Sequence, residues 1–168
     1  GPDTEINYDR GEKYDPQGLG LELLKKDLDN DRYIELWNIV FSQYNSMPGV
    51  ARKDYKQLPQ KNIDTGAGLE RLACIMQETE TNFETDLFYP YIEALMAKSK
   101  FPYEGKYKLA YRVIADHIRS ITFALADGAV FSNDGRGYVL KRLLRRASRY
   151  AQTLGLPAGT LASLVPLV

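Results

Sequence analysis

Between Arg32 and Tyr44 the side chains alternate with period two. Ile34, Leu36, Asn38, Val40, Ser42 and Tyr44 fall on one face, and Glu35, Trp37, Ile39, Phe41 and Gln43 on the other. That alternation predicts a strand. Ahead of it, residues 3–18 read as a short strand and a loop, and Leu19 to Leu28 as a weakly amphipathic helix. Ser46 to Lys53, with Pro48-Gly49, is a hairpin-like connection into a second strand from Gln57 to Asp64, in which Pro59 points to a sheet edge. From Gly66 the period becomes helical, with Leu69, Leu72, Ala73 and Met76 on one face of a helix ending at Met76. Asn82 starts another helix of about four turns, softened by Pro90.

Phe101-Pro102-Tyr103-Glu104-Gly105 marks the sharpest change of pattern, and beyond it everything is helical. Lys108 to Ala126 sets Ala110, Val113, Ile114, His117, Ile121 and Leu125 on one face. Asp127-Gly128 ends it, and Ser132 to Gly135 is a turn. A last helix, from Gly137 to Leu154, is expected to bury Val139, Leu140, Leu143, Leu144, Ala147 and Ala151. The fold class is therefore α+β, a sheet with flanking helices followed by an all-helical segment. The chain has no internal repeat and no low-complexity tract.

Composition narrows this picture. With 168 residues, 44% hydrophobic and 26% charged, the chain suits one ordinary globular domain, or a small domain plus an appendage. No apolar run approaches the ~18 residues of a membrane span, and no signal-peptide pattern opens the chain. Cys74 is the only cysteine, so disulfides do not hold the fold and a reducing cytosol is the natural setting. One Cys and one His exclude a zinc site of soft ligands. Gly1-Pro2-Asp3 at one end and Leu164-Val165-Pro166-Leu167-Val168 at the other suggest a fragment, with Gly1-Pro2 either native or a vector scar.

Net charge is formally zero, yet it is unevenly spread. Residues 1–35 carry ten acids and five bases, whereas residues 136–149 carry six bases and no acid. A neutral chain with one basic stripe points to a local polyanion contact.

Three clusters could carry chemistry. Asp64-Thr65-Gly66-Ala67-Gly68-Leu69-Glu70-Arg71 lies where a strand becomes a helix. Its glycines allow close approach of backbone to a ligand, a helix N-terminus favours an anion, and Arg71 can fork onto a phosphate. Asp64 beside it can hold an ammonium. A tight turn capped by Asp is the structural alternative. No Gly-Lys-Ser/Thr follows, so it is not a Walker loop, and Arg71 stands where a dinucleotide fingerprint needs glycine. The second cluster is the strand face with Asn38, Val40 and Ser42, a small-ligand pocket or a half-solvated edge strand. The third is Asn133-Asp134-Gly135-Arg136-Gly137 leading into Arg142, Arg145, Arg146 and Arg149, which share one helix face. Phosphate contact is the functional reading, and salt bridges to the acidic N-terminal part the structural one. His117 reads as a core histidine, and Trp37 and the twelve tyrosines as core and rim.

Taken together, the segments are more specific than any one of them. Glu35 to Asn45 (ELWNIVFSQYN), Asp64 to Leu72 (DTGAGLERL), Tyr111 to Arg119 (YRVIADHIR) and Asn133 to Ala147 (NDGRGYVLKRLLRRA) resemble, in that order, the alanyl-tRNA synthetase family over nearly the whole chain. The opening Gly1 to Ile6 is similar to the end of that family's glycine-proline segment.

The resemblance implies part of a class II synthetase antiparallel sheet with flanking helices, followed by an all-helical tRNA-recognition segment. Residues 1–103 would be the C-terminal half of the catalytic domain, and residues 104–168 the start of the acceptor-stem recognition domain. It implies Arg71 as the catalytic residue binding the ATP γ-phosphate, Gly66 and Gly68 beside the nucleotide, and Val40, Asp64 and Gly66 around alanine. Asn133 would read the acceptor stem's G·U pair from the minor groove, with Arg136, Arg142, Arg145, Arg146 and Arg149 on the tRNA backbone. ATP, Mg2+, L-alanine and tRNA are the implied ligands, with Glu35 and Asn38 near the Mg2+. No metal held by this chain alone, no DNA and no membrane are expected, and any zinc would lie outside these residues. The family's first two class motifs, second base-reading side chain and editing domain match nothing here, so the chain alone is expected to be inactive. The competing reading is a non-catalytic RNA-binding module derived from a synthetase.

Overall fold

A computed structural model describes residues 2–168. The chain divides into two compact units, residues 1–78 and 79–168. The first is built on a three-stranded antiparallel sheet in the order β1 (Asp3–Asp9), β2 (Tyr33–Asn45), β3 (Lys56–Ala67). A single helical turn, α1 (Glu22–Lys25), lies between β1 and β2, where a longer weak helix was expected. β3 continues three residues past Asp64 to Ala67, so α2 (Leu69–Met76) starts at Leu69 and not at Gly66. Leu69 and Met76, placed on its inner face by spacing, are exposed, and the buried side chain is Cys74.

Strand register holds two irregularities. Asn62 pairs with Ser42 and Gln57 with Tyr44, so β3 carries extra residues there, and Pro59 falls in that irregular stretch of an edge strand. The other is a bulge in β2. Ile6 opposes Trp37 while Asn7 opposes Glu35, leaving Leu36 without an opposite number. β1 itself alternates regularly, so Ile6 and Asn7 point to opposite faces, and so do Trp37 and Glu35. The simple alternation placed Glu35 with Trp37; the bulge turns it onto the face of Asn38, Val40 and Ser42.

The second unit is helical: α3 (Tyr89–Met96), α4 (Lys108–Ala126), α5 (Gly135–Thr153) and the short α6 (Thr160–Ser163). The four-turn helix expected from Asn82 is a 3-10 turn over Asn82–Glu84 and then α3. Pro90 sits in the first turn of α3, where its missing N–H costs nothing, and so it starts a helix in place of softening one. The core joins Phe88, Ile92 and Leu95 to Tyr111, Ile114 and Ile118, closed by Leu154 and Leu164.

Two expected core positions are exposed. Leu125 lines an apolar groove of about 820 Å³, and Val139 lines a basic groove on α5. His117 is buried as expected, its Nδ1 2.7 Å from Asp116 Oδ2 and its Nε2 without a partner among the described residues.

The entrance to α4 is fixed by a polar network. Tyr103 Oη donates to Glu84 Oε1 at 2.7 Å, and Arg112 donates to both, at 2.9 Å to Tyr103 Oη and 3.0 Å to Glu84 Oε1. Thr81 Oγ1 donates to the other Glu84 oxygen. Burial pushes the Glu84 carboxyl up, but the hydrogen bonds from Thr81, Tyr103 and Arg112 outweigh it and bring it down to about 2. Burial, with the Glu84 charge behind it, pushes Tyr103 up to about 12 against the opposing pull of Arg112. No helix of the described residues is long and apolar enough to cross a membrane.

Candidate functional site

In the first unit the antiparallel register decides which side chains share a face, because directly opposed residues point the same way. Val40 stands between Asp3 and Asp64, and Asn38 between Glu5 and Gly66. With Glu35 turned in by the bulge, one face of the sheet collects Asp3, Glu5, Glu35 and Asp64 around Asn38 and Val40. Of these carboxylates, Asp3 and Glu5 could not be found from the sequence. Nothing in residues 3–9 announces which positions of β2 they oppose.

Asp64 and Gly66 are exposed, while Val40 and Asn38 are half-buried. A Cβ at Gly66 would meet nothing within 4 Å, so the space over it is open. Asn38 Oδ1 is buried and has no hydrogen-bond partner among the described residues. A buried acceptor without a donor costs about 1–3 kcal/mol, so this atom is primed for a donor or a cation.

Past Ala67 the chain leaves the sheet, and the freed carbonyls of β2 are taken by the start of α2. Gly68 N donates to Leu36 O at 3.1 Å, and Arg71 Nη1 donates to Glu35 O at 2.8 Å. The same Nη1 lies 3.1 Å from Glu35 Oε2, an ion pair with both side chains well exposed. Gly68 makes room for that arginine, since a Cβ there would stand 3.2 Å from Arg71 Cδ. The site is thus a largely acidic face with one guanidinium at its end. Carboxylates on one side and a fork of N–H donors on the other suit a ligand carrying an ammonium and a phosphate. Glu35 and Asn38 also offer the hard oxygens that Mg2+ prefers. They would supply only a few of its ligands, the remainder coming from water and phosphate. Among the described residues no group of three or more His, Cys, Asp or Glu could itself hold a metal ion.

The second unit carries the other candidate cluster. Gly135, at φ +52°, turns the chain into α5 in a conformation that other residues adopt only with strain. Two residues on, Gly137 is buried against the loop before it. A Cβ there would come within 2.2 Å of Val130 O and 2.6 Å of Ser132 N, so only glycine lets the loop cross the helix start. Ser132 Oγ donates to Asp134 O at 2.6 Å, and Lys141 Nζ donates to Asn133 Oδ1 at 2.7 Å, which leaves Asn133 held on the surface. Arg142, Arg145, Arg146 and Arg149 are all exposed and, with Tyr138 and Leu143, line a groove of about 560 Å³. Arg136 is exposed at the head of the same helix. None of these five arginines forms an ion pair among the described residues. Arg146 lies over the Tyr150 ring, 6.0 Å from its centroid. Like charges at i, i+3 and i+4 repel, so the face suits a polyanion.

A family model described as tRNA synthetases class II (A) matches residues 1–168. The alanine–tRNA ligases of Lactococcus lactis subsp. cremoris, Streptococcus thermophilus and Streptococcus pneumoniae are each 57% identical to the chain over its whole length. The chain spans 19% of the length of these curated relatives. The match covers the whole chain, and on it the chain belongs to the class II (A) family of tRNA synthetases.

Proposed function

We propose that this chain is the part of an alanine–tRNA ligase that holds alanine and the ATP tail and begins the grip on the tRNA acceptor stem. The observation that carries the reading is the shared face of Glu35, Asn38, Val40 and Asp64, ending at Arg71. On it the Asp64 carboxylate takes the alanine ammonium, Val40 packs on the methyl, and Gly66 leaves room for the substrate. The alanine carboxylate attacks the α-phosphorus of ATP in line, a P–O bond forms to give alanyl-adenylate, and pyrophosphate leaves with the electron pair of the bond broken. These residues contribute by positioning the partners and neutralising charge. Arg71, paired with Glu35 in the free chain, swings its fork to the γ-phosphate, with Gly68 lining its path. Mg2+ bound with ATP supplies further charge neutralisation beside Glu35 and Asn38.

The terminal ribose hydroxyl of tRNA held through the second cluster then attacks the aminoacyl carbonyl, an ester forms, and the acyl–phosphate bond breaks with AMP as the leaving group. Asn133 reads the G·U pair from the shallow minor groove, and Arg136, Arg142, Arg145, Arg146 and Arg149 contact phosphates. On this reading the functional division falls at residues 103/104, and the protein works in the cytoplasm. The chain by itself carries out neither step.

The test is alanine-dependent ATP–pyrophosphate exchange by the full-length product of the gene encoding this chain, with Asp64→Asn and Arg71→Ala beside it. Exchange that collapses in both variants supports the reading. A folded full-length protein that binds RNA but gives no exchange with alanine would instead be a non-catalytic RNA-binding module.

A further inference from the structure

Asn133 does not present both ends of its amide to solvent. Lys141, eight residues further on and on α5, places its ammonium 2.7 Å from Asn133 Oδ1. An ammonium has three donors and no acceptor, so the amide must turn its oxygen to the lysine. The Nδ2 group, with its two N–H donors, is what remains for a ligand. The loop cannot easily slide away from this arrangement. It is packed on Gly137 with no room for a Cβ and braced by the Ser132 Oγ to Asp134 O bond.

We propose that Lys141 is a positioning residue that makes Asn133 a donor-only reader of the RNA minor groove. The proposal rests on the assignment of Asn133 to base recognition made above, and goes beyond it by saying what sets the recognition. A free asparagine amide rotates to offer an acceptor or a donor and so adapts to either kind of base edge. One pinned by an ammonium offers donors alone. It therefore matches the acceptors of the groove, pyrimidine O2 and purine N3, and is mismatched to the exocyclic amine of guanine. A wobble G·U pair and a Watson–Crick G·C pair set the pyrimidine O2 at different places in the groove. A donor fixed in position distinguishes them, and an amide free to turn does so far less.

The experiment is binding of the full-length product of the gene encoding this chain to fluorescently labelled RNA hairpins that differ only in one G·U or G·C pair, followed by anisotropy. The wild-type protein is expected to prefer the G·U hairpin by roughly tenfold, the scale of one mismatched pair. Lys141→Met is expected to bring that ratio to about twofold or less, with only a modest loss on the G·C hairpin from the missing cation. Lys141→Arg, which can still donate to Oδ1, retains most of the preference. A Lys141→Met protein that weakens on both hairpins equally and keeps the tenfold ratio would overturn the proposal and leave Lys141 a simple phosphate contact. Failure of the underlying reading looks different. It shows as a wild-type protein with no preference, or as Asn133→Ala leaving the ratio intact, and either result removes the inference with it.

Discussion

The sheet unit and the helical unit are stabilised by different means. In residues 79–168 a continuous core of fully buried side chains runs from Ile92 and Leu95 through Tyr111 and Ile114 to Leu154 and Leu164. In residues 1–78 the buried apolar side chains are Leu23 and Cys74, while Ile6, Trp37, Ile63, Leu69 and Met76 are exposed. Beside the backbone ladder, cross-links such as Arg32 to Asp9, at 2.8 and 2.9 Å, join the sheet unit. The face carrying Asp3, Glu5, Glu35 and Asp64 is not a hydrophobic interior, and the exposed Ile6, Trp37 and Ile63 lie on the opposite face of the sheet. In the helical unit, α5 buries Leu140 and Ala147 and presents its arginines on the other side.

The largest effect expected from this contrast is in the core. Leu95→Ala, at a side chain with no exposure, should destabilise the helical unit by about 2–5 kcal/mol. Ile63→Ala, on an exposed position of β3, should change stability by no more than about 0.5 kcal/mol. Urea unfolding followed by helical circular dichroism for the first and by Trp37 fluorescence for the second measures both. Equal shifts for the two would abolish the distinction between the units.

Next comes the Glu84 network, a charged cluster inside the helical unit. Glu84→Gln should cost about 2 kcal/mol at neutral pH, the scale of hydrogen bonds to a charged group. The sign of the pH dependence follows from the lowered carboxyl. The folded state holds Glu84 ionised down to about pH 2, against 4.5 for an ordinary glutamate. The stabilisation is therefore complete above about 4.5 and is lost as pH falls towards 2. Wild type and variant should converge across that window, and a gap that stays constant would assign the effect to packing.

Gly137→Ala should follow, at about 1–3 kcal/mol, because the added methyl meets backbone at Val130 and Ser132 and the loop has to move. Its mark would be a loss of preference between RNA hairpins larger than its loss of stability explains, because the loop that moves carries Asn133.

The helical unit was the more legible of the two from sequence. The helix over Lys108 to Ala126 matches α4 end to end, and the one from Gly137 to Leu154 is α5 displaced by two residues at its start. Periodicity of 3.6 reports a buried face directly. It does not say where the partner ends, which is why Leu125 and Val139 were assigned to the interior and line grooves instead. In the sheet, Asp64, Gly66, Val40 and Arg71 could be singled out by residue type, but the face they share could not be completed. The bulge at Leu36 reverses the facing of Glu35, and a one-residue slip leaves the apolar pattern of β2 unchanged to the eye. Lys141 was equally hidden. It reads as one more base in a basic stripe, and its contact with Asn133 depends on how the loop folds back over Gly137.

The smallest expected effect sharpens the comparison most. Glu35 and Arg71 form an ion pair at 3.1 Å, close to the 3.0 Å of Glu84 and Arg112, but their side chains are 38% and 47% exposed against 21% and 23%. Water screens the first pair, so Glu35→Gln should change stability by no more than about 1 kcal/mol, and less in high salt. The amide can still accept from Arg71, and the second bond of that guanidinium, to Glu35 O, does not depend on the side chain. On the proposed reading Glu35→Gln removes both a charge that pairs with Arg71 in the free chain and a carboxylate oxygen offered to the Mg2+ that comes with ATP. In the full-length protein the KM for ATP in pyrophosphate exchange reads the net effect, set beside urea unfolding of the same variant. If Glu35→Gln instead cost as much stability as Glu84→Gln, the Glu35–Arg71 pair would be part of what folds the sheet, and its place on an open face would need another explanation.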